Sequence, residues 1–318
     1  MIIALFSSTL LKSQFAGAVG TVNTSAIYKD SNVFVSWAKS CIIERGLKDI
    51  ALDSLGYADL GNDTNAIGNA GNAVVSLGDG GTAIAIFNPP ISNLPGPDFA
   101  VFENSFSDLF LELAFVEVSS DGINFYRFPA TSNVQTQQQI GPFDLLSEPD
   151  KLNNLAGKYR ALFGTPFDLE ELNNISNLNI NAITHVKIID AVGVISGPYA
   201  NYDQHQHAVN DPYPTPFSSS GFDLDAIGVI HQQELGLIDN DDSPQLIIYP
   251  NPAEDEIFVF TKKNEEIKEI NLYSITGCCL IKTDQSKLDF SKFQSGLYFI
   301  NVSFKSGLII TKKVFKKN

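Results

Sequence analysis

The chain has 318 residues, of which 44% are hydrophobic and 18% charged; that excludes a disordered chain and leaves room for two domains, each with its own core. Its net charge of −15 is uneven: residues 243–318 hold 11 lysines against 8 acids, while the remaining 242 hold 10 basic against 28 acidic side chains. A body that acidic repels phosphate backbones, which excludes nucleic acid as a partner.

Residues 1–11 (MIIALFSSTLL) form a short apolar run followed by Lys12. The run is too short to span a bilayer but matches the apolar core of a secretory signal peptide, read here as residues 1–14. The basic flank of such a peptide is missing, which points to a leader that starts upstream of Met1. No other stretch approaches the ~20 apolar residues of a transmembrane helix.

Residues 15–235 read as one β-rich body. Residues 27–40 fit a short helix or a strand equally well. Residues 73–77 and 82–87 read as two strands joined by Gly78-Asp79-Gly80-Gly81 as a hairpin turn. Residues 98–128 are the densest apolar stretch and predict the central strands, with Ser119-Ser120-Asp121-Gly122 as a turn. Residues 151–160 have helix-like spacing, and 168–172 (DLEEL) predict one acidic helical turn. Residues 183–189 are a clear strand. Residues 196–220 form a long loop with four prolines, and 222–230 (FDLDAIGVI) close the body. Irregular strand spacing, with Gly, Pro and Asn between strands, predicts an all-β sandwich.

Chemistry-bearing residues are few. Alternation puts Phe99, Val101 and Glu103 on one face of their strand, and Asp223, Asp225, Ile227 and Val229 on one face of the last strand. Same-face carboxylates repel unless a cation, a donor or solvent lies between them. Asp98, Glu103, Asp190, Asp223 and Asp225 are therefore the candidate ligands of a structural Ca²⁺, which takes six to eight oxygens. No pair of acids is singled out as a glycosidase pair. His205 and His207 lack a third spaced metal ligand. Tyr199, Tyr202, Tyr213 and Phe217 cluster in the long loop, where they could stack on sugar rings or simply pin the loop down. No GxSxG, HExxH, P-loop or GxGxxG is present. Cys41 stands alone and Cys278-Cys279 are adjacent, so no disulfide framework emerges.

After a short acidic linker, 236–245, residues 246–318 change character: short alternating strands predicted at 257–260, 270–273, 297–302 and 308–314 suit a small antiparallel sandwich. Tyr249-Pro250-Asn251-Pro252, then Asn271-Leu272-Tyr273 with Gly277, then Gly296-Leu297-Tyr298-Phe299 and the closing lysines resemble the C-terminal (type A) sorting domain of the type IX secretion system. That resemblance implies an Ig-like tail, export through the periplasm to the outer surface or medium, contact with the type IX machinery, and release or attachment to surface lipopolysaccharide. The body segments at 116–125 and 222–230 resemble galactose-binding-like jelly-roll sandwiches. The body also resembles secreted bacterial cell-surface proteins through PGPDFAVFEN, AGKYRALFGTPFDL and GFDLDAIGVIH. Those resemblances imply a glycan or other surface ligand and a structural Ca²⁺, with binding favoured over catalysis. A polysaccharide hydrolase using paired carboxylates and a structural surface-layer component are the alternatives.

Overall fold

Two runs of every-second apolar residues supply the facing surfaces of the body: Ala83, Ala85 and Phe87 with Val186 and Ile188 on one side, Phe99 and Val101 with Ile227 and Val229 on the other. The computed structural model describes residues 15–233, 246–261 and 266–317. The expected leader 1–14 and the whole of the expected linker 236–245 lie outside the described residues. Two compact units result, 1–234 and 235–318.

In the body, one antiparallel sheet runs in the order Ile27–Tyr28, Phe163–Phe167, Phe99–Glu103, Asp223–Val229, Ser36–Trp37, with Val75–Ser76 beside Asp223–Val229. The second runs Leu155–Ala156, Ala114–Ser119, Ile183–Asp190, Thr82–Ile91, Cys41–Glu44, with Tyr126–Arg127 beside Ala114–Ser119. Their inner faces close a single core, in which Phe99, Phe128 and Phe167 meet with ring centroids 5.0–6.0 Å apart. Burying each such ring contributes roughly 1.5–3 kcal/mol. The body is thus sandwich-like and all-β; its helical turns are short 3₁₀ segments among the described residues. A second apolar layer forms where Val134, Ile140, Leu152 and Val209 cover Leu113 and Phe115. The segments around 130–152 and 191–209 are therefore packed down, although they are mostly irregular.

Three local expectations need correction. The strands flanking Gly78–Gly81 do not pair as a hairpin: Val75–Ser76 joins Asp223–Val229, whereas Thr82–Ile91 joins Ile183–Asp190. The turn crosses between sheets because the Gly46 backbone packs into it, bonding Leu77 O at 2.7 Å. Phe99–Glu103 and Ala114–Ser119, the strands within residues 98–128, belong to different sheets and face each other across the core. Residues 151–160 contain the strands Leu152–Asn153 and Leu155–Ala156 rather than a helix, with Asn154 and Gly157 at positive φ between and after them. Finally, a register shift between Leu224 and Ala226 breaks the alternation of the last strand, so Leu224 and Ile227 both reach the core.

The tail forms a three-stranded sheet (Leu246–Tyr249, Glu256–Thr261, Lys287–Asp289) and a four-stranded one (Cys279–Thr283, Ile267–Ser274, Gly296–Phe304, Ile309–Lys316). Ile257, Val259, Leu272, Phe290, Ile300 and Val302 fill a core of their own. The motif residues have structural work in it. Asn251 accepts from Phe315 N at 2.9 Å and donates to Lys313 O at 3.1 Å, tying the segment after the first strand to the last strand. Pro250 and Pro252 follow cis peptide bonds. Gly277, at φ +80°, lies in the turn closed by the bond from Cys278 N to the Ser274 hydroxyl, and Gly296, at φ +154°, opens its strand. Tyr298 packs on Phe290 and Phe293 and donates to Gln294 O.

Candidate functional site: an acid-floored aromatic cleft

The chain passes from the first sheet to the second between Glu103 and Ala114, and this crossing presents two phenylalanines. The Ser107 hydroxyl accepts from the Leu109 and Phe110 amides and tightens the turn, so Phe106 and Phe110 stack with centroids 4.4 Å apart. Arg160 anchors the crossing by pairing with Asp108 at 2.6 Å. Ser147 joins it to the next segment: its amide bonds Leu109 O and its hydroxyl accepts from Leu111 N. That places Phe143 nearby, paired with Phe217 of the long loop at 5.6 Å. Phe106 and Phe143 are 68% and 69% exposed. Aromatic side chains gathered this way at the surface mark an interaction site more often than isolated exposed ones do.

Between these pairs lies a cleft of about 240 Å³, with Glu112 and Asp223 among its lining residues. Glu112 is 9% exposed, and its carboxyl accepts no hydrogen bond from the described residues. Burial first, then Glu103, Asp223, Asp211 and Asp190, hold its pKa well above the usual carboxylate range. Asp223 is bonded by the Ser76 hydroxyl. The Asn104 amide, turned to donate, lies 3.0 Å from Glu103 and 3.3 Å from Asp223. Burial pushes Asp223 up to about 6, opposed by Ser76, Asn104 and the Arg45 guanidinium. Glu103 is pushed to about 8 by burial, with Asp223 adding to the shift against the Ser105 hydroxyl and amide.

Behind this floor sit three more buried acids. Asp190 accepts from Phe222 N at 2.7 Å and Gly80 N at 2.9 Å, yet burial and Asp79 raise it to about 8. Asp79, held by Ile50 N at 2.8 Å, is raised by burial to about 6. Asp211 accepts from Leu113 N at 3.0 Å; its other oxygen has no partner among the described residues, and burial raises it strongly. Backbone approach makes the floor possible: a Cβ on Gly157, which sits at φ +79°, would lie 1.7 Å from Glu112 O. Of these acids Glu112 and Asp223 line the cleft, and a carboxyl whose pKa burial raises keeps its proton to higher pH and can then donate as well as accept, which suits a hydroxyl-rich ligand.

Of the five acids singled out in the sequence, the fold groups Glu103, Asp190 and Asp223 in this cluster. Asp98 lies at the opposite end of Glu103's strand, accepting from Leu94 N, Leu169 N and His231 Nδ1 at 2.7–3.0 Å. Asp225 accepts from Gly71 N at 2.7 Å. Among the described residues, no group of three or more His, Cys, Asp or Glu is arranged to hold a metal ion. The loop aromatics disperse: Phe217 enters the cleft, Tyr213 bonds Asp49, and Tyr202 lines a separate groove. Sequence reasoning passed over Glu112, Asp211, Asp79, Phe106 and Phe143. Glu112 had a usable signal, because a lone acid inside Phe110-Leu111-Glu112-Leu113-Ala114 must be buried with its neighbours.

The architecture defines an all-β body followed by a small β-sandwich tail. Residues 247–317 match the family described as the secretion system C-terminal sorting domain. The chain is therefore cargo of the type IX secretion system, delivered to the outer surface or the medium. No curated protein matches it. Among solved structures, it aligns with PorZ, an essential bacterial surface component of the type IX secretion system of Porphyromonas gingivalis. That alignment has 15% identity and a TM-score of 0.21, over 30% of this chain and 14% of that one. It also aligns with a beta-1,2-glucanase from Parabacteroides distasonis at 10% identity and a TM-score of 0.22, over 92% of this chain and 39% of that one. Likeness that low carries no argument about the body. No helix of the described residues is long and apolar enough to cross a membrane.

Proposed function

We propose that the exported body binds an uncharged glycan, with one sugar ring seated in the aromatic cleft. The observation that carries this is a cleft between two aromatic pairs, each presenting an exposed ring (Phe106 and Phe143), with the buried carboxyls Glu112 and Asp223 in its lining. Ring faces suit the C–H faces of a sugar, and the floor suits its hydroxyls. Uronic or sulfated sugars would bring negative charge against Asp223, the more acidic of the two carboxyls lining the cleft, which disfavours them. On a glycan array, the body should bind neutral glycans, and Phe143→Ala should weaken binding by about tenfold, equivalent to about 1.4 kcal/mol. Silence across the array overturns the reading. Attachment to surface lipopolysaccharide after export is a further part of this proposal.

One observation favours hydrolysis as a second reading: an unbonded Glu112 and a more acidic Asp223 share the same cleft. Glu112 would protonate the glycosidic oxygen while Asp223 takes a proton from the attacking water. Reducing ends released by the body and lost in Glu112→Gln would support it; glycan binding without release leaves a binding module. Calcium is a separate proposal. At Glu103, Asp190 and Asp223 a cation must displace the donors from Ser105, Gly80, Phe222 and Ser76. A higher melting temperature in Ca²⁺ than in EDTA supports such a site, and coincident curves remove it.

A further inference from the structure

A second concavity of about 470 Å³ lies between residues 132–137 and 202–208. Its chemistry differs from that of the cleft. His207 is its one titratable side chain apart from Tyr202, and no Asp, Glu, Lys or Arg lines it. Thr136, Gln137, Tyr202 and Gln206 are exposed along it, and no hydrogen bond within the described residues occupies the side-chain amide of Gln137 or Gln206. Each such amide offers a donor and an acceptor to a sugar hydroxyl. Beneath them, the buried Ser132 hydroxyl has no partner among the described residues.

The groove is built rather than incidental. Asp203 accepts from Ser132 N at 2.9 Å on one wall, and from His205 N and His207 N at 2.8 and 2.9 Å on the other. One buried carboxylate thus fixes both walls. It also holds the turn in which Gln206 adopts φ +64°, a conformation that costs a non-glycine residue energy and is kept where the surroundings enforce it.

The same two segments supply both concavities. Residues 132–137 lead to Phe143, and residues 202–208 lead to Phe217. Asn210 joins them, accepting from Ile140 N at 3.0 Å and donating to Gln135 O and Gln138 O at 2.7 and 2.9 Å. Gln137 and Phe143 are six positions apart, so their backbones lie at most about 20 Å apart.

We infer that this amide-lined groove is a second carbohydrate subsite, holding uncharged sugar units of the same polymer that enters the aromatic cleft. The inference rests on the glycan reading of the cleft and adds that the ligand is an extended chain. The test measures affinity of the full chain for neutral oligosaccharide ladders, from disaccharide to hexasaccharide, drawn from the array. Affinity should rise with length. In Tyr202→Ala/Gln137→Ala, and separately in His207→Ala, hexasaccharide affinity should fall by about tenfold, and its ratio to disaccharide affinity should fall towards one. Phe143→Ala should lower both affinities. These groove side chains are exposed, so melting temperatures should stay near wild type; if one falls, the other variant carries the test. A length ratio unchanged from wild type in the groove variants overturns the second subsite and leaves the cleft reading standing. No binding to any ladder overturns both.

Discussion

Raising the pH from about 5 to about 8 should lower the melting temperature of the body by roughly 8–16 °C for each net proton it retains over that range. The acids responsible are Asp79 and Asp223, raised to about 6, and Glu103 and Asp190, raised to about 8, with Glu112 and Asp211 also raised by burial. Each folded pKa lies above the unfolded value, so the folded state holds these protons more tightly. That advantage is complete below about pH 4. It is lost as pH rises through about 6 for the first pair and about 8 for the second. One proton retained over three pH units is worth about 4 kcal/mol, a large part of a domain's net stability. Glu112→Gln separates this cause from others. Its carboxyl accepts no hydrogen bond among the described residues, so the amide loses no partner while removing one ionisable group. The variant should melt higher than wild type at alkaline pH and show a shallower slope. A wild-type melting temperature that stays flat from pH 5 to 8 would show that the floor ionises without cost.

Deleting residues 246–318 should stop surface delivery and leave the body inside the outer membrane, detectable by fractionation. The physical basis is that the tail carries its own core, closed by Ile257, Val259, Leu272, Ile300 and Val302, and its own ties between first and last strands through Asn251. A single substitution should do the same. Leu272→Asp places a carboxylate where the side chain is fully buried, at a cost of several kcal/mol that a domain of this size does not carry in reserve. The exposed exchange Lys282→Gln, whose partner Glu269 is also at the surface, should leave export intact. If Leu272→Asp is exported normally, the folded tail is not what the machinery recognises.

The legible parts of the fold were those written in contiguous residues. The strand at Ile183–Asp190 alternates along its own length, and the tail strands do the same, so each was readable without knowing its partners. The helical turn at Leu169–Leu172 announced itself through Asp168, whose side chain caps Glu170 N at 2.9 Å. The failures came where a distant segment overrode local pattern. Gly78–Gly81 has hairpin composition, but Gly46 packs against it and sends its flanks to different sheets. Leu152–Ala156 has helical spacing, but Ser132 and Phe115 pair with it as strands. The last strand alternates in sequence, but a register shift against Phe99–Glu103 turns Ile227 inward.

By itself, the sequence determined that this is an acidic, exported, all-β protein with a sorting tail, because charge balance, alternation and motif order are properties of the chain read in line. The tertiary structure alone decided which acids share a site. Glu112 and Asp223 are 111 positions apart, and Phe143 meets Phe217 only because two sheet-crossing segments are stapled together by Ser147 and Asn210. The same packing excludes water from the carboxyls and so sets their protonation. Desolvation depends on every neighbour at once, and no local pattern encodes it.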